Sequence, residues 1–474
     1  MTDTPDAQSF ARLPLSEAMQ ANLSQLGYTR MTPIQAAALP LALQGHDLIA
    51  QAQTGSGKTA TFALALLHRL DAARQQVQAL VLCPTRELAD QVTQELRRLA
   101  RAADNIKVLT LTGGSPMKPQ VESLAYGAHI VVGTPGRLLD HLDRGTLVLD
   151  ALNTLVLDEA DRMLDMGFVD DIAAVVKRAP KNRQTLLFSA TYPEGIANLS
   201  RQFLREPREV KVATAQAAAQ AQIRQIAYEV SETERLHAVA LALAHFRPAS
   251  TLAFCNTKQQ CRDVVDVLNG QGLVALALHG DLEQRERDQV LIQFANGSCS
   301  VLVATDVAAR GLDIAQLECV INVDISADVE QHVHRIGRTG RAGATGLALS
   351  LASLDEMGRV GRIEQLMGRE FQWAPLDTLT PTAGGALQPA MDTLQILGGR
   401  KDKIRPGDIL GALTGEAGFD AKDVGKINVT DFHSYVAVTR SLAREVVQRL
   451  SASKLKGRKV KVRRLADLVA GEGD

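Results

Sequence analysis

The run from Ala52 to Thr59, "AQTGSGKT", is nearly a phosphate-cradling loop of the form G-x-x-x-x-G-K-[ST], with Ala52 where the first glycine would stand. Such a loop works because glycines let successive backbone N–H groups turn inward around phosphate oxygens. Lys58 then reaches the outer phosphate, and the Thr59 hydroxyl can ligate Mg²⁺. A chance glycine-rich turn is the plainer reading, but "DLIAQA" before the loop reads as a strand and "TATFALALLHRL" after it as a helix. The chemistry also needs a carboxylate at the end of a neighbouring strand, and "TLVLDEAD" supplies Asp158, with Glu159 beside it to polarise a water. Further along, "HRIGRTGR" (His334 to Arg341) concentrates basic side chains. Basic runs are usually solvated faces, yet Arg338 and Arg341 have the spacing that points two side chains the same way on a helical turn. Two arginines aimed at a phosphate would stabilise the charge that develops as it is transferred.

These residues need a scaffold. From Asp47 to about Val212, short β-rich runs such as "ALVLCPT", "HIVVGTP" and "QTLLFSAT" alternate with helix-like stretches such as "RELADQVTQELRRLA". That alternation predicts a parallel sheet with crossover helices, which places reactive residues in loops at the carboxyl ends of strands. An alanine-rich bridge, "ATAQAAAQAQ", follows, and the pattern restarts with "STLAFCNTK", "CSVLVATDVAARG" and "TGLALSLAS", this time without a G-K-T loop. A stretch rich in Pro, Gly and Thr, "DTLTPTAGGALQPA", reads as a second linker.

Bulk properties bound the rest. The chain has 474 residues, of which 46% are hydrophobic and 22% charged, an ordinary globular balance with room for about three domains. A formal net charge of −1 leaves any attraction for nucleic acid to local patches. Cys83, Cys255, Cys261, Cys299 and Cys319 form no C-x-x-C pair, which predicts reduced thiols and neither a disulfide frame nor zinc. The first residues carry no basic segment followed by an apolar one, and no apolar run approaches a membrane span, so a cytoplasmic protein without a membrane partner is expected.

Taken in order, "GYTRMTPIQ" with Gln35 and the upstream Phe10, "AQTGSGKT", "PTRELA", the pair Gly113 and Gly114, "TPGR", "DEAD", "SAT", "FCNT", "QRER", "ATDVAARGLDI" and "HRIGRTGR" have the order and spacing seen in the DEAD-box RNA helicases. The chain resembles that family over about residues 10–370, and in it the position of Ala52 is normally alanine. The resemblance implies an RNA-dependent ATPase built as an α/β protein of two tandem RecA-like parallel-sheet domains, residues 1–210 and 223–374, joined by a linker at 211–222. ATP and Mg²⁺ are the implied cofactors. Phe10 and Gln35 would meet the adenine. Thr54, Gly55, Ser56, Gly57, Lys58 and Thr59 would cradle the phosphates, Thr59 and Asp158 would hold the metal, and Glu159 would be the general base. Asp306 would face the ribose, Arg338 and Arg341 would be arginine fingers, and Ser189 and Thr191 would couple hydrolysis to strand separation. RNA would run over Arg86, Gly114, Thr134, Arg137, Asn256, Arg287, Thr305 and Gly311, which would grip phosphate and 2′-OH without reading sequence.

After a linker at 375–388, residues 389–474 change character. "DTLQILGG", "RPGDILGALTGEAG", "VGKINVTDF", "HSYVAVT", "RSLAREVVQRLSAS" and "RKVKVRRL" follow a β-α-β-β-α-β order, which predicts an α+β domain of the RNA-recognition-motif (RRM) type. Residues 390–474 hold 16 Lys and Arg against 11 Asp and Glu, so this segment is basic although the whole chain is not. Lys454, Lys456, Arg458 and Lys459 are expected to contact phosphate. Of the usual stacking aromatics only Tyr435 remains, with His433 on the same face. An RRM-like domain after such a core resembles a bacterial subfamily of these helicases. That resemblance implies a hairpin of 23S ribosomal RNA and precursor particles of the large ribosomal subunit as partners, and a monomer is expected.

Two other readings compete. A processive translocase of the DEAH or RecQ type is disfavoured by "DEAD", by Gln35 in its segment and by "HRIGRTGR". A general RNA chaperone or clamp without rRNA specificity would share the same motifs.

Overall fold

A computed structural model of the chain describes residues 8–52, 55–103, 105–212, 223–309, 317–340, 345–384 and 387–469. A helix between two strands returns the chain to the sheet in the same direction, so the alternating pattern builds parallel sheets. Strands β1 (Leu48–Gln51), β2 (Ala79–Leu82), β3 (Val108–Leu111), β4 (Ile130–Gly133), β5 (Thr154–Leu157), β6 (Gln184–Ser189) and β7 (Arg208–Lys211) form one sheet, in the order β3-β4-β2-β5-β6-β1-β7. Every pairing in it is parallel. Strands β2, β4 and β5 are buried along their whole length, as helices on both faces require.

A second sheet holds β8 (Ile223–Glu229), β9 (Thr251–Cys255), β10 (Ala275–Leu278), β11 (Val301–Thr305), β12 (Cys319–Asn322), β13 (Gly346–Ala352) and β14 (Trp373–Ala374), in the order β10-β11-β9-β12-β13-β8-β14. Its order is that of the first sheet displaced by seven strands, and it too is parallel throughout. The two sheets belong to separate compact units, and the C-terminal residues belong to the second.

Strands β15 (Met391–Leu397), β16 (Val424–Val429), β17 (His433–Thr439), β18 (Lys454–Leu455), β19 (Arg458–Lys459) and β20 (Val462–Arg464) lie in the C-terminal part. Four of them make an antiparallel sheet, β16-β17-β15-β20, against which the helices Pro406–Gly411 and Ala443–Ala452 bury Ile409, Val446 and Leu450. The expected single closing strand is divided. Lys454–Leu455 pairs with Arg458–Lys459 around a turn in which Lys456 and Gly457 have φ of 50° and 78°, the backbone of a tight hairpin, and only Val462–Arg464 joins the sheet.

Of the expected linkers, the first, 211–222, begins inside β7, which ends at Lys211, and its residues 213–222 lie outside the described residues. The segment from 375 to 384 is not a free tether. Leu379 is buried in the second core, Thr382 N donates to Ala244 O at 3.1 Å, and Thr380 N donates to His245 Nδ1 at 3.2 Å. Two leucines, Leu376 and Leu379, anchor an otherwise linker-like composition to the helix Arg235–Phe246. All five cysteines are buried free thiols, and no described helix is long and apolar enough to cross a membrane.

In the second unit, His332 is fully buried and stacks on Phe371 at 5.5 Å, and neither ring nitrogen has a hydrogen-bond partner among the described residues. Burial, helped by Arg335 and Arg369, pushes this imidazole down to about 3. The unfolded chain therefore takes up a proton near pH 6.5 that the folded unit refuses. Stability contributed by the neutral ring should fall as pH drops from about 6.5 toward 3, by up to about 1.4 kcal/mol per pH unit. Urea unfolding followed through Trp373, the chain's single tryptophan, should show this acid loss in the wild type and a flatter pH dependence in His332→Leu. Equal slopes would show that another group controls it.

Candidate nucleotide and RNA sites

The sheet order brings the chemistry together. Strand β6 lies between β5 and β1, so the phosphate loop after β1, the acidic run after β5 and "SAT" after β6 open on one edge. Gly57 sits at φ 96° and leads directly into the helix Lys58–His68, so the first turn of that helix faces the loop. A cavity of about 300 Å³ is bordered there by Gly55, Gly57, Lys58, Thr59, Asp158 and Glu159, with Tyr28 and Glu95 also in its wall. The Lys58 ammonium is buried without a hydrogen-bond partner among the described residues. A buried cation without a partner among the described residues, at the start of a helix that follows a glycine-rich loop, fits a phosphate group, which would supply the missing acceptor.

Burial pushes the Asp158 carboxyl well above the usual carboxylate range and Glu159 adds to this, while Lys58 opposes it. Glu159 occupies the left-handed region at φ 52°, a conformation that costs a non-glycine residue about 1–2 kcal/mol, and Arg162 pairs with its carboxylate at 2.9 Å. The last residue of the acidic run, Asp161, ties two strand ends together. Its carboxylate accepts from Ala190 N at 3.1 Å, Thr191 N at 2.9 Å and Thr191 Oγ1 at 3.0 Å, and its own N–H donates to Ser189 Oγ at 3.3 Å. Although burial works against it, Lys58 and the bonds from Thr191 hold the Asp161 carboxyl below its ordinary range.

Phe10 and Gln35 do not line this cavity. Phe10 is 5% exposed and packs edge-on against Tyr28 at 6.2 Å, so its ring belongs to the core. The Gln35 amide is engaged twice, donating to Gly57 O at 3.3 Å and accepting from Thr32 N at 2.9 Å, which makes it a brace for the phosphate loop. Ser56 is half-buried in the loop, and Thr54 lies outside the described residues.

The other half of the same edge carries the expected RNA contacts. Arg86 follows β2, Gly114 at φ 71° follows β3, and Thr134 stands immediately before the helix after β4. Arg137, on that helix, donates to Ser115 O at 2.9 Å and so links the last two loops. Sheet order makes β3, β4 and β2 neighbours, which gathers these residues away from the phosphate loop.

In the second unit the corresponding loops converge on a residue that motif spacing did not single out. Arg335 is buried and donates to Asp306 at 2.7 and 2.6 Å, to Asn256 Oδ1 at 3.1 Å and to Asp324 O at 2.7 Å, with its guanidinium 5.1 Å from the centre of the Phe254 ring. Asp306 is thus committed to an ion pair. Thr305 ends β11, and Arg287 donates to Ala308 O at 2.6 Å. Arg338 lies beyond the last helical turn, although its spacing suggests a place on one. The helix ends at Ile336, and Gly337 and then Gly340 at φ 67° turn the chain so that Thr339 bridges to Leu317. Arg338 is buried, while Arg341 and Gly311 lie outside the described residues.

In the C-terminal domain Lys454, Arg458 and Lys459 are exposed on the small hairpin. Lys456 pairs with Asp408 at 2.9 Å and also donates to Lys403 O. Contrary to the sequence expectation, Tyr435 offers no stacking face: it is 4% exposed and its hydroxyl accepts from Gln395 at 3.2 Å.

Comparison with known proteins agrees with this geometry. Residues 32–199 match the DEAD/DEAH box helicase family, 231–343 the helicase conserved C-terminal domain, and 393–464 the DbpA RNA binding domain. The ATP-dependent RNA helicase DbpA of Escherichia coli (strain K12) is 53% identical over 454 residues, 95% of this chain and 98% of that protein. The ATP-dependent RNA helicase CshA of Listeria monocytogenes is 45% identical over 69% of this chain and 63% of its own length. The S. cerevisiae Dbp5 structure bound to RNA and ADP BeF3 superposes with a TM-score of 0.72 at 30% identity, covering 78% of this chain and 96% of that one. The chain belongs to the DEAD-box ATP-dependent RNA helicases. Within them it is of the DbpA type, an RNA-dependent ATPase with its own C-terminal RNA-binding domain.

The Asp161 tie makes a measurable demand. Thr191→Val keeps the shape but removes one of the three donors, so it should lower the number of strands separated per ATP hydrolysed. Single-turnover unwinding set against steady-state ATPase reads that ratio, and an unchanged ratio would make the tie purely architectural.

Proposed function

We propose that this helicase opens short RNA duplexes near a 23S rRNA hairpin gripped by its C-terminal domain, during assembly of the large ribosomal subunit in the cytoplasm, and that it acts as a monomer. The observation that supports targeting is the basic C-terminal domain, with Lys454, Arg458 and Lys459 exposed on one hairpin, attached to a core whose expected RNA contacts meet only backbone. Linking an addressed module to an indifferent motor raises local concentration without enlarging the motor's own grip.

In the ATPase, Lys58 and the loop N–H groups hold the outer phosphates, and Thr59 and Asp158 would hold Mg²⁺, which supplies charge neutralisation there when bound. Glu159 orients and deprotonates the attacking water, which requires its carboxylate to leave Arg162. Arg338 and Arg341 act on the transferred phosphoryl group as arginine fingers in the ATP-bound form.

Glu159→Gln should stop turnover while ATP and RNA still bind, so a trapped RNA complex should accumulate on a native gel. Turnover within a few-fold of wild type would remove Glu159 from the chemistry. For targeting, ATPase stimulation across a panel of RNAs should favour 23S fragments carrying the hairpin. The triple variant Lys454→Gln, Arg458→Gln, Lys459→Gln should weaken that binding and lower its log–log salt slope by roughly one unit for each phosphate no longer neutralised. An unchanged slope would place the address elsewhere.

A further inference from the structure

An RRM-type domain ordinarily reads RNA on the open face of its sheet, by stacking bases on aromatic side chains. Here that face is closed. Thr393 and Gln395 of β15 are 1% and 0% exposed. Thr393 Oγ1 lies 2.7 Å from Ser298 Oγ and accepts from Asn296 Nδ2 at 3.2 Å, both on the turn before β11, and Lys426 donates to Ala295 O at 2.9 Å. Gln395 is occupied by Tyr435 and by Arg463 at 2.9 Å. RNA that meets this domain has to meet another surface.

One end of the domain has the required chemistry. The loop from Gly399 to Arg405 and the turn from Thr430 to Phe432 are zipped by their backbones, Arg400 N to Thr430 O at 2.8 Å and Lys401 N to Asp431 O at 3.0 Å. The approach is close enough that a Cβ on Gly399 would fall 2.4 Å from Thr430 O. These paired loops hold Phe432 60% exposed, with the Lys401 ammonium 4.2 Å from the centre of its ring. Beside them is a cavity of about 610 Å³ lined by Arg400, Lys403 and Arg405 together with the apolar Ile404 and Val429. Arg400 joins the two features, since it lines the cavity and pairs with Asp431 at 3.2 Å. A single exposed aromatic signifies little. An exposed aromatic on a braced loop, flanked by a cationic cavity, offers a face for an unpaired base and charge for the phosphates on either side of it.

We propose that the paired loops 399–405 and 430–432 are the RNA-reading site of the C-terminal domain, with an unpaired base stacked on Phe432 and the adjoining phosphates met by Arg400, Lys403 and Arg405. The inference rests on the targeting reading above and locates it at named residues. It selects for RNA with unpaired nucleotides, because a base held in a duplex cannot reach the ring.

The test uses the full chain and an RNA hairpin with an unpaired, 4-thiouridine-substituted loop, beside a blunt duplex of equal length. Phe432→Ala should weaken hairpin binding by roughly 5- to 140-fold, which is one stacked base at about 1–3 kcal/mol converted at 1.4 kcal/mol per decade, and Phe432→Trp should restore it. Duplex binding and the salt slope should stay as in wild type in Phe432→Ala. The triple variant Arg400→Gln, Lys403→Gln, Arg405→Gln should instead lower the slope for the hairpin. Equal losses on hairpin and duplex, or no loss, would overturn the assignment. Photocrosslinks mapped to 399–405 and 430–432 would support it. Crosslinks elsewhere in 389–474 would overturn this site and leave targeting by the domain standing, and crosslinks confined to 32–343 would overturn both.

Discussion

A buried carboxylate, that of Asp161, holds the first unit's functional edge in one arrangement. It accepts three hydrogen bonds from Ala190 and Thr191, at the end of the strand that separates the phosphate loop from the acidic run. Hydrogen bonds to a charged acceptor contribute about 1.5–3 kcal/mol each, and a buried carboxylate deprived of them is strongly unfavourable. The 158–161 and 189–191 segments are therefore one structural piece. The left-handed backbone of Glu159 is tolerated because this bracing over-determines it.

The two parallel-sheet units show how one strand order yields two outcomes. Lys58 is the first residue of the helix after β1, and Arg235 is the first residue of the helix after β8, the topologically equivalent strand. Lys58 keeps an ammonium without a partner among the described residues. Arg235 pairs with Glu232 at 2.6 Å and with Glu356 at 2.8 Å, and donates to Val323 O at 2.6 Å. The second unit answers its buried cation with its own carboxylates, whereas the first leaves its cation without one among the described residues, a place that a phosphate would fit. The absence of a G-K-T loop in the second half is one sign of this, and the acidic partners of Arg235 are the physical reason.

The parts legible in the sequence were those in which a strand and the residue at its end are adjacent in the chain. Alternating apolar runs indicated both parallel sheets; Asp158 directly follows β5, Ser189 closes β6, and Lys58 opens the helix after the short loop that leaves β1. What could not be read depends on distant packing. Arg335 becomes a hub only because Asn256 and Asp306, 79 and 29 residues away, fold onto it. Tyr435 looked available because nothing in "HSYVAVT" says that Ser298 and Asn296 cover the sheet it belongs to. The spacing of Arg338 and Arg341 suggests a helical turn, but the helix stops at Ile336 with Gly337 at its C-cap, so Arg338 lies outside it, and Arg341 is outside the described residues. Phe432 closes the run "VGKINVTDF", which reads as a strand, but the strand stops at Val429 and the exposure of Phe432 is a property of two loops brought together by the fold.

The C-terminal domain is seated on the second parallel-sheet unit by the hydrogen bonds at Thr393 and by Lys426, and Gln388 adds a bond to Gly272 O. The stretch before it is packed down through Leu376 and Leu379. A loose tether would sweep a volume and sample whatever duplexes lie within its length. A seated domain instead fixes a distance and an angle between the RNA it holds and the neighbouring sheet. If this domain anchors an RNA as proposed above, the helix acted upon would be chosen by its spacing from the anchor, and the protein would serve as a ruler laid along a folded RNA.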